Sequence, residues 1–405
     1  MKKQKLLWVL LFVILPAVSY SDDMQRNTML LRNDSEGETY SSISALSNTK
    51  HPQLLTESEK DNKKIYNSID SLFKSVYEGN KPGGSILVLK NGDVFYRNAI
   101  GLQNISNDNK LSPENIFALG SLTKQFTAVC ILLLEEQGKL SLDDDINKYL
   151  IDFPGHGHKI RIRHLLSHTS GYIDYFDVPE FWAVYQKEIT VEEALGLVKD
   201  KPLQFAPGEG YKYSGVNYIL LGLIIEKITG SSFEDYLQAN IFDVLEMDHT
   251  YFLRKQKQMP DLAQGHMMIN DEFVPSGPVC MSFLFSAGAL YSNVDDMGKW
   301  INGLLNNKII KRETLKRAWS KNVLANGDTI STGFGWDIGE LQGHKYIEHG
   351  GSMIGYDSYH ICLPEDSVYI IILTNSISDK GPGASRFSPM PVACKTAEML
   401  IENKK

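Results

Sequence analysis

Cysteine is scarce: Cys130, Cys280, Cys362 and Cys394 are the only four in 405 residues, and their separations match no metal-binding or redox spacing. Core packing is their expected role, although in an exported chain two of them could pair, and the sequence does not say which. Positive charge is also short, with 41 Lys and Arg against 49 Asp and Glu for a net −8. No basic stripe relieves that balance, so nucleic acid is not an expected partner. The strongest N-terminal apolar run, Leu6 to Val18, is interrupted by Pro16 and falls short of the ~20 residues that span a bilayer. There is no repeat of solenoid period. Neither a Gly-x-Ser-x-Gly elbow nor a His-Glu-x-x-His helix occurs, which disfavours two common hydrolase architectures.

What remains is enough for a large core. Hydrophobic residues make up 42% of the chain and charged residues 22%, a globular composition for two domains or one composite unit. Lys2, Lys3 and Lys5 precede the apolar run, and Ser19, Ser21, Asp22 and Asp23 follow it. These are the charged, apolar and cleavable parts of a secretory signal, here residues 1–21. Export to the periplasm or beyond is expected, with a transient membrane contact through this segment. No cysteine lies near the cleavage region to carry a lipid. Residues 22–60 are rich in Ser, Asn, Asp, Glu and Thr and read as a polar tether.

Folded structure is expected over 61–405. Ile65, Ile69, Leu72, Phe73 and Val76 recur at helical spacing before Gly79. Two β-rich runs, Ser85 to Leu89 and Val94 to Tyr96, flank Asn91-Gly92, a hairpin signal because both turn residues tolerate positive φ. The middle is mostly helical: Phe126 to Glu136, the Thr190-x-x-Glu193 capping box, Tyr218 to Ile228 ending at Gly230, and a helix opened by Ser231-x-x-Glu234. Strands are expected at Gly333 to Asp337, around Tyr346 and at Val368 to Leu373, with a closing helix near Cys394 to Ile401. The fold class is α+β, with one antiparallel sheet flanked by helices and assembled from both chain ends, about 61–120 and 280–405. A mostly helical subdomain, about 121–279, is inserted between them.

Three Ser-x-x-Lys patterns occur, at Ser47 to Lys50, Ser71 to Lys74 and Ser121 to Lys124. The first lies in the tether and the second on the exposed side of an amphipathic helix. Ser121 differs because Gly120 precedes it and an apolar helical run follows. A hydroxyl there meets the positive end of the helix dipole, and Lys124, one turn on, can reach it. A plain N-cap is the bland alternative for Ser121. Farther along, Tyr213-Ser214-Gly215-Val216-Asn217 sits on a loop just before a helix, and His349-Gly350-Gly351-Ser352 ends a strand in small residues.

In that order these segments resemble the serine β-lactamase and penicillin-binding group, especially its class C and D-Ala-D-Ala carboxypeptidase/esterase branch. The resemblance runs from about Pro82 to Asn375. It includes His164 to Gly171, Ser286 to Ser292, Gly333-Phe334-Gly335-Trp336 and Leu373-Thr374-Asn375. It implies a β-lactamase/transpeptidase-like fold, Ser121 as the acylated nucleophile, and Lys124 and Tyr213 as its proton-transfer pair, with Tyr211 a nearby competitor for Tyr213. Which of the pair is the free base stays open, since both ordinary pKa values, about 10.4 and 10, are too high. His349 carries the third motif. Gly215, Gly350, Gly351 and Ser352 would line the substrate, with the backbone N–H groups of Ser121 and Ser352 as oxyanion hole.

Two departures refine the expectation. Gly215 stands where a β-lactamase usually has Asn, removing a side-chain amide that grips the substrate. His349 stands where many relatives have Lys and would be mostly neutral near pH 7. Both move the reading from antibiotic resistance toward an esterase or peptidase. His156 and His158 lack a third ligand nearby and read as a solvated turn. His164 and His168 read as part of a structural segment, Asp143 to Asp145 as a solvated loop, and Cys130 as core. The expected protein is a serine hydrolase without metal or cofactor, acting on a small-molecule or peptide substrate: an ester, a D-amino-acid peptide or a β-lactam. Its rivals are a penicillin-binding-like sensor with negligible turnover and a membrane-anchored structural protein.

Overall fold

The computed structural model describes residues 57–402 apart from 185–186, 188, 253–258, 260, 278–282 and 384. The signal segment, most of the tether, Ser47 to Lys50 and Cys280 lie outside the described residues. Helix α1 (Glu57–Tyr77) opens the fold and begins four residues inside the stretch read as tether. It leads into the hairpin β1 (Gly84–Lys90) and β2 (Asp93–Ile100). Asn91 and Gly92 take the positive φ that the turn requires, 56° and 87°. The middle of the chain supplies helices α2 (Thr123–Glu136) and α3 (Gly215–Thr229). Helix α4 (Val294–Leu305), strands β3 (Asp337–Leu341), β4 (His344–Met353), β5 (Tyr356–Leu363) and β6 (Val368–Thr374), and helix α5 (Pro389–Glu402) follow.

The sheet order is β3-β4-β5-β6-β1-β2, antiparallel throughout. The first hairpin therefore completes a sheet whose other four strands come from the chain's end, the expected α+β arrangement. Because both sheet faces are covered, β6 reads as an unbroken apolar run, and every residue of it is buried. Alternate residues serve two cores. Ile370 and Ile372 pack toward α1 and α5, whereas Ile371 and Leu373 join the larger core around α2 and α3. Truncating one such isoleucine to alanine costs about 2–5 kcal/mol.

Helix α2 is buried almost all round, from Thr123 to Leu132 and again at Leu134, as a helix at the centre of a core must be. Its Phe126 stacks on Trp300 of α4 at 4.1 Å, and Cys130 is fully buried as expected. Cys130, Cys362 and Cys394 are free thiols.

Three local expectations shift. The late strand begins at Asp337 rather than Gly333, because Gly333 N–H closes a turn onto the Trp336 carbonyl at 2.8 Å. The helix expected from Ser231 is capped by Ser232, whose hydroxyl accepts the Asp235 N–H at 3.0 Å. The middle of the chain also carries strands, and His266–Ile269 pairs in parallel with Ser376–Ser378. Among the described residues no helix is long and apolar enough to cross a membrane.

Candidate active site

Ser121 sits in a single 3-10 turn, Gly120–Leu122, that runs directly into α2. No side chain caps α2, so the Ser121 hydroxyl is not used as an N-cap. It instead receives two hydrogen bonds, from Lys124 Nζ at 2.9 Å and from the Tyr213 hydroxyl at 2.7 Å. Lys124 reaches it because residues three apart share a helix face. Tyr213 arrives from 92 residues away, on the loop just before α3.

Lys124 is 2% exposed. Its Nζ also donates to the Ala287 carbonyl at 2.8 Å and stands 4.8 Å from the centre of the Tyr213 ring. Burial brings its pKa down to about 7, with Asp174 pulling weakly the other way. Burial drives the Tyr213 phenol in the opposite direction, well above 10, although the hydrogen bond to Ser121 opposes the rise. Of the two groups that can take the serine proton, the amine is the one that loses its charge near neutrality.

The strand end closes the other side. A Cβ on Gly120 would fall 2.9 Å from Ser352 N, and one on Gly351 would fall 2.0 Å from the Leu119 carbonyl oxygen. Gly351 thus permits β4 to lie directly on the serine turn. The Ser352 hydroxyl donates to Asp357 at 2.7 Å, and Gly350 offers its carbonyl to His349. The His349 ring centre is 6.3 Å from that of Tyr213. Burial first, and then the nearby Lys124, hold its pKa down to about 4, so it is uncharged at neutral pH.

Tyr211 contacts His168 edge-on at 6.4 Å, and it is Tyr213 whose hydroxyl meets Ser121. The other Ser-x-x-Lys of the folded part is exposed at Ser71 and Lys74, with Lys74 paired to Asp70 at 2.8 Å. His156 lies in a turn at φ 50°, and among the described residues no group of three His, Cys, Asp or Glu could hold a metal ion.

Several contributors carried no signal of their own in the sequence. His168 stacks on Tyr213 at 4.4 Å between ring centres. Its Nδ1 accepts the Ser214 N–H at 3.1 Å and lies 3.2 Å from the Asn217 amide. Asp174 accepts the Gly215 N–H and, at 2.9 Å, the Phe176 N–H. Burial pushes its carboxyl up to about 6. The positions of His168 and Asp174 between α2 and α3 give no hint of these contacts, because each depends on how the Tyr213 loop folds back.

A buried alkyl amine and a phenol converging on one serine hydroxyl define a nucleophilic serine hydrolase site. The sequence profile of the family described as Beta-lactamase matches residues 69–387, and the chain belongs to that family. It is 29% identical to Penicillin-binding protein 4* of Bacillus subtilis over 337 residues, 79% of this chain and 73% of that protein. It is also 29% identical to Protein flp of Staphylococcus aureus over 322 residues, 78% of this chain and 64% of that one. Among solved structures, the octameric penicillin-binding protein homologue from Pyrococcus abyssi superposes with a TM-score of 0.68 at 28% identity, covering 86% of this chain and 78% of that one. D-amino acid amidase from Ochrobactrum anthropi SV3 shares the fold, with a TM-score of 0.71 at 23% identity over 85% of this chain and all of that one.

Proposed function

We propose that the protein is an exported serine hydrolase that forms an acyl-enzyme on Ser121 and releases it to water. The observation that carries this is the double contact on the Ser121 hydroxyl, 2.9 Å from Lys124 Nζ and 2.7 Å from the Tyr213 oxygen. Neutral Lys124 keeps one N–H on the Ala287 carbonyl and turns its lone pair to the serine proton. Ser121 Oγ then bonds to the substrate carbonyl carbon, the bond to the leaving group breaks, and the proton passes by way of Tyr213 to the departing atom. Backbone N–H groups of Ser121 and Ser352 receive the oxyanion, each worth about 2.7–4 kcal/mol in the transition state. Water repeats the sequence in reverse roles and frees the acid.

An uncharged His349 cannot hold a substrate carboxylate by charge, and Gly215 offers no amide. Both features support an ester or a D-amino-acid amide over a β-lactam bearing a free carboxylate. The test uses the purified mature protein with a fluorophosphonate or penicillin probe, mass spectrometry, and a panel of chromogenic esters, D-peptides and cephalosporins. Labelling at Ser121 together with turnover is expected. Labelling without turnover would mark a sensor, and neither would sink the reading.

A further inference from the structure

Away from the serine, a cavity of about 580 Å³ opens between the segment 159–169, the turn at Pro207-Gly208 and residues 321–325. None of Ser121, Lys124, Tyr213 or His349 lines it. Its walls carry Lys159, Arg161, Arg163 and Lys321, and no Asp or Glu among the described residues. On a chain where acids outnumber bases 49 to 41, four cations around one hollow repel one another at a cost that a bound anion removes. Three of them have a local origin. In Lys159-Ile160-Arg161-Ile162-Arg163 both isoleucines are fully buried, which leaves the basic residues for the outside. Lys321 comes from a distant segment, held there by the Ala325 N–H on the Gly208 carbonyl at 2.8 Å. Asp143 is the one carboxylate paired with these cations among the described residues, 2.7 Å from Arg163 and 3.7 Å from Arg161. Lys159 and Lys321 have no such partner there.

Neutral groups complete the lining. His164 Nδ1 accepts the Arg161 N–H at 3.3 Å, so the ring proton sits on Nε2, which makes no hydrogen bond among the described residues. Burial first, and then Arg161 and Arg163, lower the His164 pKa to about 4, so the ring adds a donor without charge. Gly208 has no side chain to cover it: a Cβ there would fall 3.6 Å from that nitrogen. Ser167 and Thr169 also line the cavity and bond each other at 2.9 Å. Pro207, Val323 and Leu324 give it an apolar side.

We propose that this cavity binds a small organic molecule carrying two or more oxyanion groups, phosphate or carboxylate. Arg161 and Arg163 offer planar forks that match either group, Lys159 and Lys321 add point charges from two segments, and the apolar side receives the carbon skeleton. A lone phosphate or sulfate would leave most of the volume empty, whereas 580 Å³ suits a ligand of metabolite size. The proposal is independent of the hydrolase reading, because Lys124 and Tyr213, which touch Ser121, take no part in the cavity. The two sites are neighbours through the chain: His168, between Ser167 and Thr169, is the ring that stacks on Tyr213.

The test is calorimetric titration of the full chain with citrate, glucose 1,6-bisphosphate and sulfate at constant ionic strength. One citrate or one bisphosphate should bind per chain at least about tenfold tighter than sulfate, since each further charge-assisted hydrogen bond is worth about that factor or more. The tighter of the two identifies the oxyanion type. Lys159→Gln combined with Lys321→Gln should weaken that binding about 10²-fold, again by the worth of two charged contacts. Both side chains are exposed, so an unmoved thermal midpoint is expected. Lys321→Glu, a single exposed change that brings a carboxylate to the cavity, should weaken it as well. Ser121→Ala should bind as the wild type does. Absence of binding, equal affinity for all three anions, unchanged affinity in the lysine variants, or loss in Ser121→Ala would each overturn the proposal. Acyl-enzyme formation is read separately by the fluorophosphonate probe, so the two readings fail independently.

Discussion

Two neighbouring residues of β4 face opposite sides of the sheet, and each buries an ionisable group. His349 looks toward Ser121, its pKa held down to about 4 by burial. Glu348 looks the other way, toward α1 and α5, where its carboxyl bonds the Tyr359 hydroxyl and one oxygen is left without a partner. Burial raises Glu348 well above the ordinary carboxyl range. Burial pushes each group toward its uncharged form, yet only the front face has a nucleophile beside it. A perturbed pKa therefore marks burial first, and chemistry only where a reactive oxygen shares the space.

The sharpest way to break the comparison is to remove the front-face oxygen. Ser121→Ala should abolish ester turnover by about 10⁴-fold or more, with the thermal midpoint essentially unmoved. Residual activity at wild-type level would end the distinction between the faces. Lys124→Ala should cost about 10²–10⁴-fold. In the wild type, kcat/KM should rise as pH climbs through about 7 and then level off. The sign follows from the lysine: its folded pKa is depressed to about 7, so the neutral base accumulates above that value. A profile flat from pH 6 to 9 would assign the base elsewhere.

His168→Phe is the intermediate case. The ring that stacks on Tyr213 is kept, but the buried Ser214 N–H loses its acceptor, a cost of about 1–3 kcal/mol. A lower thermal midpoint is expected, with kcat falling more than KM changes.

On the back face, Glu348→Gln should leave kcat within about twofold of wild type, since general acid–base effects need contact with the reacting groups. Its effect belongs to stability. A carboxyl with a raised folded pKa contributes stability that is complete below its unfolded value and is lost as pH rises through the folded one. Asp357, pushed up to about 7, acts in the same direction. The wild type should thus lose more of its thermal midpoint between pH 5 and 8 than the variant does, by about 2 °C. Smallest of all, Ser71→Ala on the exposed face of α1 should change neither activity nor midpoint measurably.

Legibility in the sequence followed the range of each interaction. Ser121 and Lys124 were readable because three residues along one helix fix their spacing before any tertiary contact forms. The β1–β2 hairpin was readable for the same local reason, whereas the strand expected at Gly333 began four residues later, where a tight turn ended. Tyr213 and His349 entered through resemblance alone. The Ala287 carbonyl that holds Lys124 comes from 163 positions away, and a backbone carbonyl has no residue type to betray it.

The amino-acid sequence by itself determined the helix that presents the serine, the lysine one turn behind it, the apolar strands of a sheet covered on both faces, and the glycine that leaves position 215 bare. Only the tertiary structure decided that the lysine is dry enough to lose its proton, that His168 and Asp174 steady the tyrosine loop, and that Tyr175 occupies the space beside Gly215. Desolvation and crowding are properties of what surrounds a residue, and those surroundings are assembled from segments that are strangers along the chain.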